Sequence, residues 1–383
     1  MAAAAPLLVQ QMNSPADIAP SDVHDGLTSI LALPEGRIRD VMLGSVLTGL
    51  LLRGPRLDEV EAAICAATAL DRPGWDVHQP PAGVRFIGYT GSGKKTFKTI
   101  NLSTTAALVA ATGGAYVAKL GSRSASSETG SRDFIDCVGA ASDTLSHREM
   151  VDITAQVGFG FFSIEARVPE FDRRYGGRFQ AVHALSLGLP ALLSPVTCAA
   201  TVYGLSHPAV GASARLLSRL GLPDVTVINS STGQTTQVDE LLPGSTVRAC
   251  RISAGVEELA FNDAVRRGAA SMPPDLTAVT QHRDPVENAA ASIHVLAGRG
   301  TGQARYAVAL NAALLLAVSG VASTIEDGID EALSIIDAGA ALDTLQQFVK
   351  VTGGTPRRLH SLLRPRFAPT LPVSRSAEET TPC

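Results

Sequence analysis

Between residues 84 and 138 the chain alternates between two incompatible periodicities. "VRFIG" and "AYVAKLG" are short apolar runs of strand type. "TTAALVAATGG" and "SRDFIDCVG" follow them with apolar residues recurring at helical spacing. Strands joined through a helix cannot close as a hairpin, so they lie parallel, in a sheet that helices must cover. "VGFGFFSI", "DVTVINS" and "TVRACRI" continue the strand pattern further along. The expected fold is α/β, a central mostly parallel sheet flanked by helices over residues 83–355. A small helical unit precedes it over 1–75, where "DGLTSILA", "IRDVMLGSVLTGLLLRG" and "LDEVEAAICAATALD" show helical recurrence. Helices within about 168–195 are expected to complete that unit. "DRPGWDVHQPPAG" (71–83) reads as a linker, and 364–383, rich in Pro and Ser, as a disordered tail.

The turns after the first two strands carry the chemistry. "GYTGSGKK" satisfies G-x-x-x-x-G-K but places Lys95 where a nucleotide P-loop needs a Ser or Thr for magnesium. A cation there would repel the ion, which argues against an NTPase. Only five of the 32 basic residues are lysine, yet Lys94, Lys95, Lys98 and Lys119 fall close together. Lysine supplies compact point charges suited to phosphate. "NLSTTAALVAATGG" then sets Asn101, Ser103 and Thr104 at a helix start, where free N–H groups and the helix dipole favour anions. "KLGSRSASSETGSRD" repeats the arrangement around Lys119, Arg123 and several hydroxyls. Two such cradles side by side imply a substrate with two separated phosphate groups.

The rest of the chain excludes more than it suggests. A net charge of −4 provides no global field for nucleic acid. Five scattered cysteines form neither a disulfide framework nor a zinc pattern, which fits a reducing cytoplasm. The opening "MAAAAPLLVQQ" lacks the positive region of a signal peptide, and "YAVALNAALLLAVSGVA" carries Asn311 in its middle, so it reads as a buried helix rather than a membrane span. His147, His183 and His207 lack metal-ligand spacing, and no G-x-S-x-G elbow is present.

The order G-x-G, then N-x-S-T-x-A-A-L-V-A-A, then K-x-G-x-R-S-x-S-S-x-x-G-S-x-D resembles the anthranilate phosphoribosyltransferase family, which is related to class II nucleoside phosphorylases. Asp284-Pro285, Glu287-Asn288-Ala289 and Asn311-Ala312 extend the resemblance, which runs from about 20 to 350. It implies transfer of the phosphoribosyl group of phosphoribosyl pyrophosphate (PRPP) to a small aromatic acceptor, with release of pyrophosphate. It assigns the diphosphate to Gly91, Gly93, Asn101, Ser103, Thr104, Lys119 and Ser127, with Ser92, Lys94, Lys95 and Thr99 as further candidates on the same stretch. It assigns Mg²⁺ to Asp239 and Glu240 of "TTQVDELLPGS", helped by Ser103. No acid or base is required if the acceptor is an unprotonated aromatic amine, and the resemblance implies a homodimer formed through the helical unit.

The chain departs from the family at two places. The family's Gly-Thr-Gly-Gly-Asp loop has Lys94 for its last glycine and Lys95 for its acidic residue. Its Lys-His-Gly-Asn-Arg motif reads Lys119-Leu120-Gly121-Ser122-Arg123, which replaces two polar groups that face anthranilate. Leu120, Ser122 and Arg178 of "RRYGGRF" are the expected acceptor contacts, and Val168-Pro169 stands where the family often has His-Pro. These changes imply an aromatic acid other than anthranilate. Two alternatives remain open: a glycosyltransferase or phosphorylase using another sugar phosphate, and a non-catalytic nucleic-acid binder with a groove of Lys94, Lys95, Lys98, Arg123 and Arg132. The acidic pair and the net charge weigh against the second.

Overall fold

The computed structural model of the 383-residue chain describes residues 4–123, 129–176, 178–233, 235–273 and 275–364. Its strands are β1 (Phe86–Gly91), β2 (Tyr116–Gly121), β3 (Phe159–Ser163), β4 (Ala200–Gly204), β5 (Asp224–Thr232), β6 (Thr236–Val238), β7 (Thr246–Ser253) and β8 (Val256–Glu257). They form one sheet in the order β3-β2-β1-β4-β5-β7-β8, with β6 paired to β5. The five strands from β3 to β5 are parallel, and β6, β7 and β8 add antiparallel pairings at one side. The sheet is therefore mostly parallel and helix-covered, as the alternating pattern predicts.

The chain winds from β1 outward through β2 to β3, then returns to β4 on the other side of β1. That reversal opens a crevice at the carboxyl ends of β1 and β4, where ligands bind in open α/β sheets. β1 starts two residues later than the apolar run suggests. Val84 N–H bonds the Pro81 carbonyl (3.0 Å), so the Pro-Ala-Gly turn absorbs Val84 before pairing begins.

The helix Gly302–Ser319 packs on the helices Leu102–Thr112 and Ile325–Asp337, and most of its residues are buried. It is the apolar stretch with Asn311 at its centre. No helix among the described residues is long and apolar enough to cross a membrane. Before the sheet, helices Pro20–Leu31, Arg37–Leu52 and Leu57–Thr68 form where the sequence predicts them. An additional helix, Ala4–Gln11, joins them by seating Leu8 against Gly26, where a Cβ would lie 2.6 Å from the leucine. Helices Arg37–Leu52 and Leu57–Thr68 also touch the helical turn Ala184–Leu187. Apart from Arg364, the expected tail lies outside the described residues.

Candidate active site

Beyond the carboxyl ends of β1, β2 and β4 lies a cleft of about 410 Å³. Gly91, Ser92, Gly93, Lys94, Lys95, Thr99, Asn101, Ser103, Lys119, Leu120, Ser122, Asp239 and Glu240 all line it, so the structure brings most of the sequence-predicted residues together. Ser127 lies outside the described residues. Thr104 is fully buried on the helix Leu102–Thr112 and does not face the cleft; its hydroxyl has no hydrogen-bond partner among the described residues.

The acidic pair arrives on a strap between β6 and β7 that lies directly over β1 and β4. A Cβ on Gly91 would stand 2.5 Å from Asp239 Oδ2, and one on Gly204 would stand 1.9 Å from the Asp239 carbonyl oxygen. Glycine is required at both positions because the strap occupies that space. Asn311 fixes the strap from below. Its Oδ1 accepts from Leu241 N–H (2.9 Å), and its Nδ2 donates to the carbonyls of Leu241 and Ala307 (2.8 Å each). The polar residue in the apolar helix is thus a two-point anchor for the residue after the acidic pair.

Lys94 and Lys95 are sent in opposite directions by two consecutive residues in left-handed backbone, Gly93 (φ +61°) and Lys94 (φ +58°). Lys95 turns inward. Its Nζ donates to Glu240 Oε1 (2.7 Å), Glu240 Oε2 (2.8 Å) and Thr99 Oγ1 (2.5 Å), and lies 3.9 Å from Asp239 Oδ1. Gly93 N–H donates to Asp239 Oδ2 (2.8 Å). Burial raises the Glu240 carboxyl pKa, and Lys95 opposes that rise. Lys119, also buried, donates to the Leu120 carbonyl (2.8 Å) and sits 5.2 Å from the centre of the Tyr89 ring. Burial lowers its ammonium to about 8, against the attraction of Asp239 and Glu240.

Lys94 turns instead to the far wall. Its Nζ donates to Tyr175 Oη (2.8 Å) and stands 3.1 Å from His183 Nε2, while Tyr175 Oη and His183 Nε2 are in direct contact. Burial brings Lys94 down to about 8 and holds His183 well below the usual histidine range, so the imidazole is neutral. Tyr175 stacks between Phe171 (centroids 4.6 Å) and Phe179 (4.9 Å), and Phe179 lies 4.7 Å from His183. Phe171, Tyr175 and Phe179 line the cleft, as Leu120 does, and give it apolar and aromatic surface. Sequence reading missed this wall, although a signal was present: Phe171, Tyr175, Phe179 and His183 recur at intervals of four.

One expected acceptor contact needs correction. Arg178 is not among the described residues lining the cleft; its guanidinium is tied to Glu35 and approaches Asp40 Oδ1 (3.5 Å) on the N-terminal helical unit. Asn101 does not offer a free side-chain amide, because Nδ2 donates to the Gly130 carbonyl (3.0 Å) and Oδ1 accepts from Asn288 Nδ2 (2.7 Å). It ties together the turns after β1 and β2. Nor do the five basic residues weighed for nucleic acid make one positive face. Lys95 is bound to Glu240, Arg123 to Asp136 (2.9 Å), and Arg132 to Asp136 and Asp143.

Residues 84–342 match the family described as "Glycosyl transferase family, a/b domain". Over 347 residues the chain is 30% identical to the anthranilate phosphoribosyltransferase of Dechloromonas aromatica, covering 86% of this chain and 94% of that protein. The chain belongs to the anthranilate phosphoribosyltransferase family, a family of pentosyltransferases. The Thioalkalivibrio sulfidiphilus member is 32% identical over 332 residues, covering 85% and 93%. The crystal structure of the Thermus thermophilus enzyme matches with a TM-score of 0.69 at 25% identity, covering 90% of this chain and 99% of that one. The Saccharomyces cerevisiae enzyme in complex with PRPP and Mg shares the fold, with a TM-score of 0.68 at 20% identity over 92% and 99%.

Proposed function

We propose that the cleft transfers the phosphoribosyl group of PRPP to a small aromatic carboxylic acid other than anthranilate, releasing pyrophosphate. The observation that carries this reading is the make-up of the cleft. Its lining combines Lys119, the glycine loop after β1 and the N-terminus of helix Leu102–Thr112 with the aromatic side chains Phe171, Tyr175 and Phe179 and with Leu120.

The bond from C1 of the ribose to the diphosphate breaks as the bond from C1 to the acceptor atom forms, and the two electrons of the broken bond leave with pyrophosphate. Charge therefore builds on the leaving group. Preorganised cations and N–H donors at that point lower the barrier because they need not reorient as the charge develops. Lys119, fixed by burial, is placed for this, and the first N–H groups of helix Leu102–Thr112 have no partner within their own helix. An acceptor ring stacks on the Phe171, Tyr175 and Phe179 wall, and Lys94 takes the role expected of Arg178 as the cation for its carboxylate.

The expected magnesium meets a donor set that is already engaged. Both Glu240 oxygens are held by Lys95 and one Asp239 oxygen by Gly93 N–H, which leaves Asp239 Oδ1 as the one pair oxygen without a hydrogen bond. No cluster of three or more metal-ligating side chains occurs among the described residues. With Lys95 in place, the Asp239–Glu240 pair offers a divalent ion only Asp239 Oδ1 and does not fit it as a ligand set.

Calorimetry with PRPP, with and without Mg²⁺, tests the donor half, and no detectable binding at millimolar ligand would remove it. Turnover across a panel of aromatic acids that includes anthranilate tests the acceptor half, and preference for anthranilate would overturn that part. A homodimer belongs to the same proposal, supported by Ile38, Val41 and Leu52, which are exposed on one face of helix Arg37–Leu52. A monomer in analytical ultracentrifugation would contradict it.

A further inference from the structure

We infer that Lys95 is a built-in cation that occupies the place of a divalent ion at the Asp239–Glu240 pair, so that this site needs no metal to be charge-balanced. The geometry is that of an ion site filled by a side chain. One ammonium contacts both oxygens of Glu240 and the Thr99 hydroxyl, and lies 3.9 Å from Asp239. Lys95 is mostly buried, with its side chain 14% exposed, and the two carboxylate side chains are 5% and 7% exposed. Two buried carboxylates side by side are costly unless cations match them. Here the protein supplies the cations itself: Lys95 touches the pair directly, and Lys119 and Lys98 also act on Asp239 and Glu240.

The backbone enforces this arrangement. Left-handed conformations at Gly93 and Lys94 separate the two consecutive lysines, sending Lys95 to the acidic pair and Lys94 to Tyr175. A non-glycine residue rarely holds such a φ without support from its surroundings. Three contacts hold the turn: Gly93 N–H on Asp239, Ser206 Oγ on the Gly93 carbonyl (3.0 Å), and Thr96 N–H on the Gln237 carbonyl (3.1 Å). Lys95 is accordingly a positioning residue. It holds Glu240 through both carboxylate oxygens and stands beside Asp239, a role otherwise open to a metal.

Removal of the ammonium should create a metal site. Mn²⁺ binding to the full chain without PRPP, followed by electron paramagnetic resonance, compares the parent protein with Lys95→Met and Lys95→Arg. The expected result is one additional Mn²⁺ per chain in Lys95→Met, at least tenfold tighter than any ion in the parent, lost again in Lys95→Met/Glu240→Gln and absent in Lys95→Arg. Thermal melting with and without Mn²⁺ covers the case in which Lys95→Met folds poorly: Mn²⁺ should raise the variant's melting temperature and leave the parent's unchanged. Equal Mn²⁺ affinity in the parent and Lys95→Met would mean that Lys95 steps aside for the ion, and no gain in Lys95→Met would mean that the pair is no ion site; either overturns the assignment. Its catalytic meaning rests on the phosphoribosyl transfer proposed above, whereas the titration uses protein and Mn²⁺ alone. Failure of PRPP binding and failure of this test are therefore separate outcomes.

Discussion

Asn311 offers a quantitative test of how the acidic strap is held. Its side chain is fully buried and satisfies both the N–H and the C=O of Leu241. Asn311→Leu nearly preserves volume and removes both bonds, leaving two backbone polar groups buried without partners. Each such group costs about 1–3 kcal/mol, so roughly 2–6 kcal/mol of stability should be lost. The bond to the Ala307 carbonyl adds little, because that oxygen keeps its own helical N–H donor, and the long contact from Tyr89 Oη to Oδ1 (3.5 Å) is lost as well. Urea denaturation followed by the fluorescence of Trp75, the only tryptophan, reads the change. PRPP affinity should fall in the same variant, because the strap that carries Asp239 and Glu240 loses its lower anchor. A stability within about 0.5 kcal/mol of the parent, the scale of an ordinary surface change, would show that water or backbone movement replaces the bonds and would refute the anchoring argument. Asn311→Asp sharpens the test. It retains the acceptor for Leu241 N–H but turns the two donor bonds into a carboxylate facing carbonyl oxygens, so it should be at least as damaging as Asn311→Leu.

Gly91→Ala places a methyl group 2.5 Å from Asp239 Oδ2; PRPP affinity should fall at least tenfold while circular dichroism stays native, and unchanged affinity would show that the strap can yield. Arg178→Ala should leave the KM for the acceptor within about twofold, because the guanidinium serves Glu35 and Asp40. Its stability cost should stay within about 1 kcal/mol, as for exposed ion pairs. Lys119 and Lys94 both lie near 8 in the folded protein against an ordinary 10.5. Above about pH 8 the free protein loses these charges, so PRPP affinity measured by calorimetry should decline by up to about tenfold per pH unit as Lys119 deprotonates. Stability runs the other way. Between about pH 8 and 10.5 the unfolded chain binds more protons than the folded one, so folding stability contributed by these lysines should rise with pH in that window.

Those opposite slopes follow from features that were unevenly legible in the sequence. The parallel core was legible because each strand is a short apolar run and the crossovers are helical, so period and length agree from residue 84 to 163. The antiparallel β6, β7 and β8 were not, since an apolar run does not encode the direction of its partner. Several residues of the cleft were legible from their place at a strand end or a helix start, as Gly91, Ser103 and Lys119 were, although Thr104 at the same helix start faces the core. Arg178 was misplaced for a local reason: a guanidinium in a glycine-rich turn can reach a ligand or a neighbouring carboxylate, and Glu35, more than 140 positions earlier, is invisible to any window around "RRYGGRF".

The two adjacent lysines show the limit most clearly. "GSGKK" states that two cations follow two glycines, and nothing in the letters separates their tasks. The separation comes from φ at Gly93 and at Lys94, a non-glycine residue in the left-handed region, and that conformation is selected by contacts from Asp239, Ser206 and Gln237, all more than a hundred residues away. With the turn set, Lys95 meets the acidic pair and Thr99, and Lys94 meets Tyr175 and His183. One lysine then balances buried carboxylates while the other stands against the aromatic residues of the cleft. A change at Gly93 should therefore affect both lysines together, because the geometry of a single turn assigns both charges.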